Sequence, residues 1–336
     1  MSSSIIAIEY YYPEKKITND DLGKEFPSYD FSNFEKKIGI RNRYVAKEGE
    51  TALDLAIKAC EKLFLRIDKS KIDFILYCTQ SPEFILPTTA CVLQDRVGLN
   101  KNIGALDFNL GCSGFVYGVS MAKALIESNL ASNVLLITAE TYSKFLHPHD
   151  RSNRSIFGDA AACTLISKSE EKGLRDFLFG TDGGGYDKLI IKNGASRNKF
   201  DAAASDLSYG TDNSYSDNHL YMDGPEVMNF TTDVIPTFTN EVLSRNKINN
   251  EDIDQFIFHQ ANAFMLNLLR RKINVEKERF YINLEDGGNT VSCTIPIAIK
   301  RYAQTIEDNA SKNIAIVGFG VGLSWGGGVI HIDNKL

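Results

Sequence analysis

A thiol, an imidazole and a carboxamide each stand where an apolar run gives way to a polar or glycine-rich turn: Cys112 in NLGCSGF, His259 in FIFHQAN and Asn289 in DGGNTVSCTIP. The segment L-G-C-S-G turns from a strand into a helix, so the Cys112 N–H points with those of the first helical turn, a setting suited to an oxyanion. A helix N-terminus also lowers a thiol's pKa and makes it a nucleophile. The competing reading is a packed thiol, since free cysteine is among the most buried residue types. The other five cysteines, Cys60, Cys78, Cys91, Cys163 and Cys293, read as buried structural thiols. His259 ends an apolar strand, where an imidazole either caps backbone groups or handles a proton. Asn289 suits a left-handed turn, which asparagine tolerates, and equally offers a hydrogen-bonding amide.

Other segments mimic chemistry. GFGVGLSWGGG, from Gly318, lacks the third glycine of a dinucleotide fingerprint and runs into the strand-like GGVIHI instead of a helix. Its GLSWG places Ser324 in a G-x-S-x-G frame, but a hydrolase elbow needs a following helix and then an acid and a histidine downstream. Here His331 precedes Asp333 and the chain then ends. These glycines instead let backbone approach a substrate and present an N–H. LLRRK, residues 268–272, is either a solvated helix end with favourable dipole pairing or a small basic dock for an acidic partner. TDGGGYDKL, from Thr181, reads as a turn, and the polar stretch 193–219 as a lid, an insertion or disorder.

The elements that hold these residues repeat. KIDFILYCTQ from Lys71 resembles DIDQFIFHQA from Asp252, NVLLI from Asn133 resembles NIAIV from Asn313, and GCS at Gly111 can be laid on GNT at Gly288. All three pairs lie roughly 180 residues apart and in the same order. Apolar strand-like runs alternate with amphipathic stretches in each half, the pattern of α/β architecture with buried sheets. The polar stretch SKSEEKG from Ser167 marks the boundary, giving halves 1–167 with Cys112 and 168–336 with His259 and Asn289. His259 then stands at the strand end equivalent to Cys78, and Asn289 in the turn equivalent to Cys112. If the halves pack about a pseudo-twofold axis, Cys112, His259 and Asn289 meet in one site.

The 336 residues, 43% hydrophobic and 24% charged, have the composition of a soluble globular protein. A net charge of −6 gives no electrostatic case for nucleic acid or an anionic membrane. No CxxC pair offers a zinc or dithiol site, and no run approaches the roughly 18 apolar residues of a membrane span. The start, MSSSIIAIEYYYPEKK, is broken by Glu9 and is unlike a signal peptide, so the expectation is a cytoplasmic protein with reduced thiols.

The segments YYPEKKITNDDL, IGIRNRYVA, LPTTACVLQDRVGL, NLGCSGF, DRSNRSIFGDAAA, HQAN, GGNTVSCTIP and GFGVGLSWG together resemble the ketoacyl–carrier-protein synthase III group of the thiolase superfamily, nearly end to end. The resemblance implies a five-layered αβαβα fold from two duplicated halves, a homodimer and a Cys-His-Asn site on Cys112, His259 and Asn289. It further implies that an acyl thioester loads onto Cys112, and that a malonyl unit on acyl carrier protein loses carbon dioxide and attacks the acyl group. The backbone N–H groups of Cys112 and Val321 would form the oxyanion hole. Arg151, Phe157, Leu86, Met222, Gly224, Asn262 and Lys37 would contact substrate, and Arg270, Arg271 and Lys272 would dock the carrier protein. No metal or redox cofactor is implied.

Departures accompany the match. Asn33 and Lys37 stand where relatives that use coenzyme A thioesters often carry tryptophan and arginine, although Arg151 matches a further clamp residue. Phe264 occupies the family's basic docking position, and Leu86 a position often aromatic. These point to a specialised member with a carrier-protein donor or a non-acetyl group. Transfer from Cys112 to a hydroxyl or amine, and a non-catalytic carrier-binding protein, are the alternatives.

Overall fold

The computed structural model describes residues 2–171, 173–308 and 310–336. Two sheets carry the architecture. Their strands are β1 (Ser2–Tyr11), β2 (Phe74–Cys78), β3 (Gly104–Phe108), β4 (Asn133–Glu140), β5 (Ala160–Ser169), β6 (Leu174–Thr181), β7 (Gln255–Phe258), β8 (Ser311–Gly320) and β9 (Ser324–Asp333). The first sheet runs β1-β5-β4-β2-β3 and the second β6-β9-β8-β7. In each sheet the parallel pairs follow the antiparallel ones: β4 with β2 and β2 with β3 in the first, β8 with β7 in the second. A single parallel bridge from Phe256 to Phe280 stands beside β7 where β3 stands beside β2.

Six helices fill the remaining layers: α1 (Ala52–Phe64), α2 (Thr89–Arg96), α3 (Gly114–Glu127), α4 (Gly224–Asn246), α5 (Ala263–Lys272) and α6 (Thr294–Ala303). The middle layer is α3 with α6. Phe115, Val119, Ala122 and Ile126 from one, and Ile295, Ala298, Ile299 and Ala303 from the other, pack between Leu76 and Leu136 of the first sheet and Ile257 and Ile316 of the second. Both helices are apolar around much of their circumference because both faces meet a sheet. Each fully buried Leu, Ile, Val or Phe there contributes about 1.5–3 kcal/mol. Helices α1 and α2 cover the outer face of the first sheet, and α4 and α5 that of the second. The result is the five-layered α/β arrangement of a thiolase-like fold.

Local chemistry starts and stops these elements. Thr51 and Asp54 form a reciprocal capping box at the head of α1, and Asn262 Oδ1 accepts from Met265 N at 2.8 Å at the head of α5. The boundary drawn at 167/168 falls inside β5, whose Ser167, Lys168 and Ser169 still pair with β1; the chain leaves the first sheet between Ser169 and Leu174. Polar side chains there mark the sheet's solvent end, not its last residue. The polar stretch 193–219 is folded as an insertion carrying a hairpin, Leu207–Tyr209 with Asn213–Tyr215, pinned where Tyr209 Oη donates to Asp150 Oδ1 at 2.6 Å. Among the described residues no helix is long and apolar enough to cross a membrane.

Candidate active site

Cys112 lies in the turn between β3 and α3, 5% exposed. The turn is fixed by Gly114 N donating to Gly111 O at 2.8 Å and by a 2.7 Å bond between Ser113 Oγ and Ser324 Oγ, which ties it to β9 of the other sheet. The glycines at the end of β8 make room for it: a Cβ on Gly318 would lie 2.9 Å from the Cys112 carbonyl oxygen, and one on Gly320 2.9 Å from the sulfur. Backbone N–H groups of Val321 and of Cys112 itself favour the thiolate. Burial nevertheless pushes the thiol up to about 12, with the Glu140 charge adding to it and the two N–H groups only partly offsetting it. Burial in this cavity thus opposes the acidification expected of a thiol at a helix N-terminus.

His259 follows β7, its N–H bonded to Val317 O at 2.8 Å. Its ring stands edge-on to Phe319 with 5.7 Å between ring centres, and Nδ1 lies 2.8 Å from Thr294 Oγ1. Burial drives the imidazole down to about 3. It is thus neutral near pH 7 and acts through hydrogen bonds. Asn289 is held by backbone on both sides, its N bonded to Ile156 O and its O to Gly158 N, each at 3.0 Å. Its Oδ1 accepts from Val291 N at 2.9 Å, which assigns the amide so that Nδ2 is left to donate. Val291, a β-branched residue at φ +56°, is strained by about 1–3 kcal/mol to deliver that N–H.

The three side chains line one cavity of about 280 Å³. Its walls are chiefly apolar, from Ile38, Ile156, Leu189, Val227, Met228 and Phe319 among others. Of the residues expected at substrate, Phe157, Met222, Gly224 and Asn262 also line it, and Asn262 doubles as the cap of α5. Phe264 is 57% exposed and belongs to the lining. Three expected residues do not line this cavity. Lys37 is exposed on the short helix Phe34–Ile38. Arg151 stacks over the Tyr29 ring at 3.9 Å and donates to Thr211 O. Leu86, 80% exposed, sits on an apolar loop with Phe84 and Ile85.

The basic run at the end of α5 is spent largely on carbonyls: Arg270 donates to Val275 O, Arg271 to Asn267 O and Lys272 to Thr232 O. Of the other five cysteines, Cys60, Cys78, Cys163 and Cys293 are buried as expected, whereas Cys91 is exposed on α2. Its helix lies on the outside of the first sheet, so a position on its solvent face is not part of the core.

Sequence reasoning missed the second set of residues around the triad. Glu140, fully buried at the end of β4, accepts from Gln80 N, Ser81 Oγ and Ser292 Oγ and links the halves beneath the site. Burial still raises its carboxyl to about 8. A lone acid at the end of LLITAE carries no periodic signal. Thr294 is also missed, although a hydroxyl at the head of a helix five residues after Asn289 could have drawn attention.

Chemically, the site offers a thiol beside two N–H groups and, across an apolar space, two neutral polar side chains able to hold an oxygen. The comparisons agree with that inventory. Family models described as 3-oxoacyl-[acyl-carrier-protein] synthase III match residues 106–183, and the same family's C-terminal part matches residues 243–332. The beta-ketoacyl-[acyl-carrier-protein] synthase III of Clostridium perfringens is 33% identical, covering 98% of this chain and 99% of its own. A putative 3-oxoacyl-[acyl-carrier-protein] synthase 3 of Campylobacter jejuni is 35% identical over 96% and 92%. A crystal structure of a 3-oxoacyl-(acyl-carrier-protein) synthase III superposes with TM-score 0.94 at 42% identity, over 98% and 99% of the two chains. That of the Burkholderia xenovorans synthase gives 0.91 at 32%, over 99% and 95%. A full-length match in sequence and backbone fold leaves one assignment: this chain belongs to the 3-oxoacyl-[acyl-carrier-protein] synthase III family of ketoacyl-forming acyltransferases.

Proposed function

We propose that the protein carries out a decarboxylative Claisen condensation in which Cys112 is the nucleophile and His259 and Asn289 hold the nascent enolate. The observation that carries this reading is the convergence of the three side chains on one apolar cavity from turns of both halves. In the first step the Cys112 sulfur attacks an acyl thioester, its proton passes to the departing thiol, and a Cys112 thioester forms. In the second, the bond between the methylene carbon and the carboxylate of a malonyl thioester breaks. Carbon dioxide leaves, and the electron pair moves into an enolate whose oxygen accepts from His259 and Asn289. The carbanion attacks the Cys112 thioester. The Cys112 and Val321 N–H groups hold the tetrahedral oxygen, and collapse releases a 3-oxoacyl thioester and the Cys112 thiolate, which regains a proton. Neither step calls on a metal or redox cofactor.

The malonyl unit would arrive on acyl carrier protein, docking at the mouth beside Phe264 with Arg270, Arg271 and Lys272 nearby on α5. The unpaired edge of β3 and the exposed Phe84, Ile85 and Leu86 support a homodimer, in which Leu86 would reach the partner's substrate. We place the protein in the cytoplasm, where its free thiols stay reduced. Arg151 and Lys37 remain candidates for contacts outside the main cavity.

Intact-protein mass spectrometry with acyl–coenzyme A and acyl–carrier-protein donors, followed by malonyl–carrier protein, tests the reading. Wild type should gain an acyl mass and lose it on condensation, C112A should gain none, and H259A should load but not condense. Normal condensation by H259A removes His259 from the mechanism. A wild type that loads but never consumes malonyl–carrier protein would favour transfer to a hydroxyl or amine instead.

A further inference from the structure

A neutral imidazole has one N–H and one lone pair, and whichever group meets one nitrogen decides what the other can do. In His259 the inner nitrogen, Nδ1, faces Thr294 Oγ1 at 2.8 Å. Nε2 is the nitrogen left for the cavity. To hold an enolate oxygen, Nε2 must carry the hydrogen, so Nδ1 must accept one.

Among the described residues, the group hydrogen-bonded to Nδ1 is the Thr294 hydroxyl. Thr294 is buried at the head of α6, and its hydroxyl also reaches the Val291 carbonyl at 3.0 Å. The Val291 backbone also favours the proton-bearing form of the imidazole, as a nearby acceptor does. The Val291 N–H is taken by Asn289 Oδ1. The hydroxyl proton therefore has two destinations. Turned to the Val291 carbonyl, it leaves the Thr294 oxygen to accept Nδ1–H, and Nε2 shows the cavity a lone pair. Turned to Nδ1, it puts the hydrogen on Nε2 and makes His259 a donor.

We propose that Thr294 is a positioning residue for the condensation step, its hydroxyl donating to His259 Nδ1 so that Nε2–H is presented to the substrate oxygen. An oxygen entering the cavity selects this arrangement because it rewards a donor and repels a lone pair. Without the hydroxyl, no donor holds Nδ1 in its accepting role, and the hydrogen settles there instead of on Nε2. The Val291 backbone orients Asn289 through its N–H and competes for the proton of Thr294 through its carbonyl. The inference rests on the condensation reading.

Threonine-to-valine replacement keeps the shape and removes the hydroxyl; threonine-to-serine keeps the hydroxyl and removes a methyl. T294V should load Cys112 at the wild-type rate but condense about 10²–10³-fold more slowly, the loss expected for one missing oxyanion donor. Its KM for malonyl–carrier protein should change little. T294S should stay within about threefold of wild type. A purely packing role predicts the reverse order, with valine tolerated and serine impaired. The imidazole ¹⁵N shifts of His259 supply a readout independent of turnover: T294V should show hydrogen on Nδ1. Wild type with a malonamide analogue of malonyl-pantetheine should show hydrogen on Nε2. Nε2–H in T294V, or condensation by T294V at the wild-type rate, overturns the proposal. A wild type that forms no acyl-enzyme defeats the condensation reading instead, and the tautomer of T294V still decides the role of Thr294.

Discussion

Replacing Gly320 with alanine probes a close approach between the two halves at the nucleophile. The added Cβ would lie 2.8 Å from Cys112 Cβ and 2.9 Å from its sulfur. Carbon contacts settle at about 3.5–4.0 Å, so the nucleophile must retreat by about 0.7 Å or β8 must move away. Rotating the thiol relieves only one of the two contacts, because Cβ is fixed to the backbone. Overpacking of this kind costs about 1–3 kcal/mol of stability. The larger effect is on rate, since a displacement near 1 Å at a reacting atom costs about 10²-fold. A time course of Cys112 acylation by intact mass, at saturating acyl donor, should therefore show G320A slowed by about 10²-fold while its thermal unfolding shifts by a few degrees. G183A is the control, since a Cβ at Gly183 meets nothing within 4 Å. Acylation of G320A at the wild-type rate, with unchanged unfolding, would refute the claim that this glycine holds the space for the sulfur.

Two pH dependences follow from burial. With the Cys112 thiol pushed up to about 12, the thiolate fraction grows about tenfold per pH unit throughout the range below that, so alkylation by a small neutral reagent should rise with unit slope from pH 7 to 9. A plateau below pH 9 would show an acidified thiol. Glu140 has a folded-state pKa of about 8 against 4.5 when unfolded. Its contribution is full below pH 4.5 and lost as pH rises through 8, because the unfolded chain ionises first. Wild type should thus lose up to about 5 kcal/mol relative to E140Q between pH 4.5 and 8 in denaturant titrations. Parallel curves for the two proteins would mean the carboxyl is ionised in the fold.

The amino-acid sequence carried the layers and the repeat because buried strands and helices leave periodic marks. KIDFILYCTQ and DIDQFIFHQA became β2 and β7, and NVLLI and NIAIV became strands in the matching places of two sheets. Those marks also put Cys112, His259 and Asn289 at equivalent strand ends and turns, from which one shared cavity could be foreseen. Ionisation states could not be foreseen. A helix N-terminus is a local feature and argues for an acidic thiol, whereas desolvation depends on what distant segments cover, and here it sets Cys112 and His259 in opposite directions. The neighbours of the triad were equally hidden: Thr294 beside His259 and Gly320 against Cys112 are contacts that arise only when separate segments face each other. The sequence by itself settled which segments fold and how they are layered, since periodicity is written residue by residue. Only the tertiary structure decided which proton sits where, since that depends on the few ångströms between groups that the chain brings together last.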